Sequence, residues 1–147
     1  MNITNENSIR LIIRKVFADE IKAGTKVREY RDESPFYLNR LYLKSDVEKE
    51  GYEQVTENSG KKIWVKIKKI EYIVFQEGYT KNQFICECKG YGYIQEGAIK
   101  KLTENDILYP EYQKENSKNL YTLIKDEYVA SGDDSWFIVF SLGRILE

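Results

Sequence analysis

The segment 135–142 constrains the fold more than any other part of the chain. It reads Ser-Trp-Phe-Ile-Val-Phe-Ser-Leu, and its β-branched and aromatic residues predict a strand. Apolar side chains fill nearly every position, whereas a strand with one solvated face alternates apolar and polar residues. We therefore expect this strand to be buried on both faces.

The remaining sequence predicts further strands joined by short helices and turns. Strands are expected at 9–15, 26–31, 63–70 and 83–94, and short helices at 16–23 and 36–41. Gly24 stands where a left-handed residue often ends a helix, and Ser34 is placed to cap the second helix. This order favours an α+β fold, a mixed or antiparallel β-barrel with short helices, over a doubly wound parallel sheet. The length of 147 residues fits a single domain over 1–147.

Local composition gives three finer predictions. Val16, Phe17 and Ile21 are expected to form the apolar side of the first helix. The polar stretch 44–62 is long enough to predict a loop that is either mobile or functional. The glycines within 90–92 are expected to bend or bulge the long strand around them.

The composition excludes several kinds of chemistry. The chain has no histidine, which removes Ser-His-Asp and Cys-His catalysis and the common zinc-water sites. Acid–base work near neutral pH would fall to Lys, Glu, Asp, Tyr or Cys with a shifted pKa. We expect no cofactor and no metal ion.

The two cysteines, Cys86 and Cys88, are two residues apart on a predicted strand. Their side chains should therefore lie on the same face. A disulfide between such neighbours would be badly strained, and two ligands alone do not make a zinc site. We expect two small buried thiols in a reduced compartment.

Charge and hydropathy set limits on partners and location. The formal net charge of −1 argues against binding nucleic acid by bulk attraction, although a local basic patch remains compatible with it. No apolar run reaches the ~20 residues that span a bilayer. The N-terminus lacks the basic and apolar regions of a signal peptide. These features predict a cytoplasmic protein with no membrane partner.

The candidate functional segment follows the first predicted helix and reads Gly24-Thr25-Lys26-Val27-Arg28-Glu29-Tyr30-Arg31. A helix ending in Gly-x-Lys, followed by x-x-Glu-x-Arg on the next strand, resembles the signature of the ASCH family. The motif positions are Gly24, Lys26, Glu29 and Arg31, and the segment 136–142 is similar to that family's final strand. The resemblance implies a PUA-like barrel.

Strict strand alternation would separate Lys26 from Glu29 and Arg31. The three side chains converge only if Lys26 lies in the turn and the strand begins after it. Gly24 permits this, because glycine adopts the positive φ that redirects the chain. The alternative is a structural ion pair of Glu29 with Arg31 or Arg28 on a solvated strand face.

A second candidate surface is the strand face carrying Trp64, Lys66 and Lys68. Aromatic and basic side chains alternating on one face can stack bases and contact phosphates. The alternative is an exposed sheet face on which lysines prevent edge association while Trp64 packs under a loop.

Three functions are consistent with these sites. The ASCH resemblance implies a domain that binds RNA or a modified nucleoside or nucleotide at the Gly24–Arg31 segment. It also implies an alternative, a small amidohydrolase that deacylates a modified cytidine through a catalytic Lys26. Those enzymes carry threonine where this chain has Glu29, and their later glutamate has several candidates within 96–115. A protein-interaction domain is the third possibility.

Overall fold

A computed structural model of the chain describes residues 2–32, 34–95, 114–115, 118–119 and 136–146. The described part is mostly β-structure, with two short helices and one turn of 3-10 helix at Asn39–Leu41. The helices are α1 (Lys15–Lys22) and α2 (Pro35–Leu38). The strands are β1 (Ser8–Ile13), β2 (Arg28–Asp32), β3 (Tyr42–Ser45), β4 (Glu53–Thr56), β5 (Lys62–Ile67), β6 (Tyr72–Glu77), β7 (Gln83–Gln95), β8 (Lys114–Glu115), β9 (Lys118–Asn119) and β10 (Trp136–Ile145).

Five strands form one sheet in the order β1-β6-β7-β10-β2. β1 runs parallel to β6, and the other neighbouring pairs are antiparallel. The sheet curls into a half-barrel. By the strand order, its two outermost strands are β1 and β2. The prediction of a mixed, barrel-like β fold is confirmed at this level.

The interior of the half-barrel holds the main core. Its fully buried side chains include Leu11, Ile73, Phe75, Cys86 and Phe140. Residues Ala18 and Ile21 of α1 join this cluster, so the helix packs on the interior face. Burial of such apolar side chains is the dominant favourable term in folding.

The strand at the C-terminal end matches its prediction closely. Ile138, Val139 and Phe140 are all fully buried although they alternate between the two faces of β10. Both faces of β10 are therefore covered, as its continuous apolar run predicted.

The stretch 44–62 is not the loop that its polarity predicted. It contains the end of β3, all of β4 and the start of β5, which together form a three-stranded antiparallel sheet. Every side chain of β4 is exposed, and a strand without a buried face gives no apolar alternation to detect. The two glycines in this stretch, Gly51 and Gly60, have positive φ and lie in its turns.

Two further local predictions differ in outcome. The N–H of Tyr37 donates to Ser34 Oγ at 3.3 Å, so Ser34 caps α2 as expected. β7 and β10 shift register between the Ser141–Gly90 and Leu142–Cys88 pairs, which places an irregularity beside Gly90, whereas Gly92 pairs with Val139 in regular register. Over the described residues, no helix is both long and apolar enough to cross a membrane.

Candidate functional site

The turn after α1 places Lys26 outside the strand. Gly24 has a φ of 79°, a conformation that costs glycine little and other residues more. The N–H groups of Thr25 and Lys26 both donate to the carbonyl of Glu20, at 3.0 and 3.2 Å. β2 begins only at Arg28, so Lys26 is free of strand alternation.

The turn brings Lys26 to the same place as Glu29 and Arg31. Lys26 Nζ lies 3.8 Å from Glu29 Oε2, and Arg31 Nε lies 3.4 Å from Glu29 Oε1. Glu29 is paired across the sheet with Phe140, so it points to the interior of the half-barrel. Arg28 pairs with Ser141 and belongs to the other face of β2. The geometric condition for a site is met, while its function stays a prediction.

Glu29 is an unusual group to find at this position. The residue is only 7% exposed, and burial raises the pKa of its carboxyl against the opposing effects of Lys26 and then Arg31. Among the described residues, no hydrogen-bond donor reaches Glu29 Oε2. A buried carboxylate oxygen without a donor is costly, and such exceptions are commoner at functional sites.

Arg31 is held by its own chain rather than presented to a ligand. Its Nη1 donates to the Tyr37 hydroxyl at 3.0 Å and its Nη2 to the Ile12 carbonyl at 2.9 Å. Its Nε faces Glu29 without the alignment of a hydrogen bond. These contacts make Arg31 a residue that positions Glu29.

Phe17 lies beside Lys26 and not on the packed side of α1, where the sequence pattern predicted it. The ring is 41% exposed, and Lys26 Nζ lies 5.6 Å from its centre. The prediction that Val16, Phe17 and Ile21 share a buried side is wrong for the first two. Ala18 and Ile21, three residues apart, lie on the same side of the helix, and this is the side that packs on the sheet. Their spacing could have predicted the buried side.

The second predicted surface does not form as proposed. Trp64 is half-buried and Lys66 exposed on β5, but β5 ends at Ile67. Lys68 is 5% exposed and donates to Asn5 Oδ1 at 3.1 Å. Burial, with a smaller effect from Arg40, lowers the pKa of Lys68. Alternation stops where the strand ends, so Lys68 does not share a solvated face with Trp64 and Lys66.

A groove of about 910 Å³ lies on the small sheet. Its floor is the apolar face of β5, formed by Ile63, Val65 and Ile67, and Lys66 is at its margin. Lys26, Glu29 and Arg31 are not among its lining residues. We place the candidate site at the Lys26 cluster, because the groove carries no buried titratable group on the described chain.

The two thiols are structural neighbours of the core. Both are free; Cys86 is buried and Cys88 is half-buried. Burial raises the pKa of Cys86 to about 11 and that of Cys88 to about 12, which leaves both protonated and unreactive at neutral pH. Within the described residues, no three Cys, Asp or Glu side chains group as metal ligands would. Of the range 96–115, which holds the candidates for the later glutamate, the structure describes only residues 114–115.

We expect Gly24→Ala to lower both stability and ligand affinity. An added Cβ meets no atom within 4 Å, so the cost is backbone strain of about 1 kcal/mol. Chemical denaturation would measure this loss. Gly60→Ala is the matched control, because Gly60 has a φ of 85° and equal space. Both variants should lose similar stability, and only Gly24→Ala should disturb Lys26. Equal ligand affinity in the two variants would contradict this.

The fold and the site together define a β half-barrel with a polar cluster at the junction of α1 and β2. Comparison with protein-family models, with curated proteins and with solved structures finds no match for the chain. The resemblance to the ASCH family therefore stays a prediction that rests on Gly24, Lys26, Glu29 and Arg31.

Proposed function

We propose that this protein binds RNA or a modified nucleoside or nucleotide by the edge of a base at Lys26 and Glu29. The observation that carries the proposal is the buried Glu29 carboxylate, whose Oε2 has no hydrogen-bond donor among the described residues. Lys26 Nζ, at 3.8 Å, stands beside it as a donor. An acceptor next to a donor complements a base edge, which offers an N–H beside a ring nitrogen or carbonyl.

The geometry also suggests how a base would enter. Arg31 occupies the side of Oε1, which leaves Oε2 as the single acceptor. Lys26 has a flexible stem and a side chain that is 22% exposed. Its ammonium can therefore move away from Glu29 Oε2, so that a ligand N–H donates to that oxygen while Lys26 donates to a ligand acceptor. The half-exposed Phe17 ring beside Lys26 offers a face on which a base can stack.

Thermal shift with a panel of nucleosides tests this proposal. A ligand that binds only the native state stabilises it, by about 2.7 kcal/mol at one hundred times its Kd. We expect cytidine or N4-acetylcytidine to raise Tm, and N4,N4-dimethylcytidine to do so much less, since it offers no N–H to Glu29. The shift should vanish in Lys26→Ala and persist in Lys61→Ala, whose lysine pairs with Asp46 on the exposed surface. No shift with any nucleoside, nucleotide or short RNA would refute the proposal.

A second candidate is deacylation of an N4-acylated cytidine. The observation that favours it is a carboxyl group whose pKa is raised by burial, 3.8 Å from a lysine ammonium. Glu29 in its carboxylate form would take a proton from water as the oxygen adds to the acyl carbonyl, and Lys26 would stabilise the developing oxyanion. Collapse of the adduct would break the bond between the acyl carbon and N4, with Glu29 returning its proton to N4. From N4-acetylcytidine and water the products would be cytidine and acetate. Incubation with N4-acetylcytidine decides this, and turnover no greater than that of Lys26→Ala excludes it.

A further inference from the structure

Three cationic side chains lie against aromatic rings around the candidate site. Lys26 Nζ is 5.6 Å from the Phe17 ring centre, the Arg31 guanidinium 5.5 Å from Tyr37, and the Arg40 guanidinium 4.0 Å from Phe36. Cations over aromatic faces are stabilised by the ring quadrupole. Such pairs also form flat platforms on which further rings can stack.

Arg31 and Arg40 are fixed along the edge of β1 that faces away from β6. The Ile13 carbonyl faces β6 and accepts from the N–H of Gly78 at 2.8 Å. Alternation therefore turns the carbonyls of Arg10 and Ile12 to the opposite edge, the outer one among the described strands. The Arg10 carbonyl accepts from Arg40 Nη1 and the Ile12 carbonyl from Arg31 Nη2, both at 2.9 Å. Residues two apart on a strand are separated by about 7 Å, so the two guanidiniums form a row. We name Arg31, Tyr37, Arg40 and Phe36 the arginine edge.

The arginine edge is both apolar and basic at its surface. Phe36 is 55% exposed, and Ile12, whose carbonyl accepts from Arg31, is exposed as well. Between Arg10 and Arg40 the sequence holds eight basic and five acidic residues, in a chain whose net charge is −1. Lys15, Lys22, Lys26 and Arg31 have carboxylate partners. Among the described residues no carboxylate pairs with Arg10 or Arg40, so these two supply the positive charge that attracts a polyanion to this surface.

We propose that a single-stranded nucleic acid crosses the arginine edge, with one base at Glu29 and a neighbouring base stacked on Phe36. The proposal rests on base recognition at Lys26 and Glu29 and extends it from a free nucleoside to a strand. Arg40 donates one N–H group to the Arg10 carbonyl, and the remaining N–H donors of its guanidinium would contact phosphate. The exposed Phe36 ring with the Arg40 guanidinium against it suits a stacked base next to a phosphate better than it suits a lipid headgroup or a folded protein.

The test compares a strand with a single nucleotide on the intact chain. Binding of cytidine 5′-monophosphate, of a fluorescein-labelled RNA pentamer of cytidine and of a random RNA pentamer pool is measured by calorimetry and anisotropy. We expect the pentamer to bind at least about tenfold more tightly than the mononucleotide, since each stacked base and each phosphate contact adds affinity. Phe36→Ala should remove most of that advantage and leave mononucleotide binding unchanged.

Matched variants and probes separate the outcomes. Tyr52→Ala is the control, because Lys49 lies 5.8 Å from that ring in the β3–β4 connection, and it should leave pentamer affinity unchanged. Arg40→Gln should reduce the slope of log K against log salt by about 0.7, the loss of one phosphate contact to a single strand. A DNA pentamer distinguishes RNA from nucleic acid in general.

Several results would overturn the inference. If the pentamer binds no more tightly than the mononucleotide, binding of a nucleic-acid strand is refuted while base recognition at Glu29 is not. An advantage that survives Phe36→Ala, or binding to phosphatidylserine vesicles in place of RNA, also refutes it. Pentamer binding that needs Phe36 but is unaffected by Glu29→Gln would support the arginine edge and refute base recognition at Glu29. Failure of every probe refutes both.

Discussion

Replacing Arg31 by alanine should lower the free energy of unfolding by about 3 kcal/mol at pH 7, because it removes one of the two cations that face a buried carboxylate and leaves only Lys26, at 3.8 Å, among the described residues. The side chain of Arg31 is 13% exposed and that of Glu29 is 10% exposed. The change also removes donors from the Ile12 carbonyl and the Tyr37 hydroxyl. Arg31 joins β2 to β1, the two outer strands of the curled sheet, so we expect the loss to be global rather than local.

Urea denaturation measures this effect, as a shift in midpoint at an unchanged slope. The loss should be smaller at pH 4 than at pH 8, since protonation of Glu29 removes the unbalanced charge. Arg144→Ala is the control, because Arg144 forms an ion pair with Glu87 at 2.7 Å on the exposed surface and should contribute nothing measurable. The double variant with Glu29→Gln should recover part of the loss. An Arg31→Ala protein as stable as the wild type would show that Arg31 does not brace the sheet.

Glu29→Gln should weaken ligand binding while making the folded protein more stable at pH 7. Burial raises the pKa of Glu29 in the folded state above its ordinary value. A group of this kind contributes stability below the ordinary pKa, and that contribution is lost as the pH rises through the folded value. At pH 7 the charged form is therefore a cost, and the neutral amide of glutamine removes it while keeping the shape.

The expected loss of affinity is about 10- to 100-fold, from the loss of a hydrogen bond to a charged group worth about 1.5–3 kcal/mol. Denaturation at pH 7 and pH 4 should show the stability gain at the higher pH and its disappearance at the lower. Glu77→Gln is a matched control, since Glu77 is equally buried but ion-paired to Lys22 at 2.6 Å, and it should show no gain. If Glu29→Gln destabilises the protein at pH 7, Glu29 is a structural ion-pair partner instead.

A gain in stability accompanied by loss of binding is characteristic of functional sites, which retain costly groups because ligands need them. On the expected results above, Glu29 meets this description, whereas Arg31, which is held by the Tyr37 hydroxyl and the Ile12 carbonyl, does not. Under the proposed function, the motif Gly-x-Lys-x-x-Glu-x-Arg would contain two kinds of residue. Lys26 and Glu29 would contact the ligand, and Arg31 would hold Glu29 in place.

Some parts of the structure followed from local rules. The apolar run of β10 predicted its burial, because no single-faced strand needs so many apolar residues. Gly24 predicted a redirected chain, since only glycine adopts positive φ at little cost. Ser34 predicted a helix start, because its hydroxyl satisfies an N–H that the helix leaves unpaired.

Other parts depended on contacts distant in sequence. The strands within 42–67 form because β4 and β3 pair with β5, and no buried face of β4 records that pairing. The buried Lys68 donates to Asn5, sixty-three residues away in sequence. Phe17 is exposed because the row of Ala18 and Ile21 was the one that met the sheet.

The sequence by itself determined that β10 is buried, that the chain turns at Gly24, and which residues follow that turn. Only the tertiary structure decided which charges meet. Arg31 reaches Ile12 and Tyr37 because the sheet curls until β2 and β1 approach each other. Curvature arises from the twist of all five strands together, and no single segment encodes it.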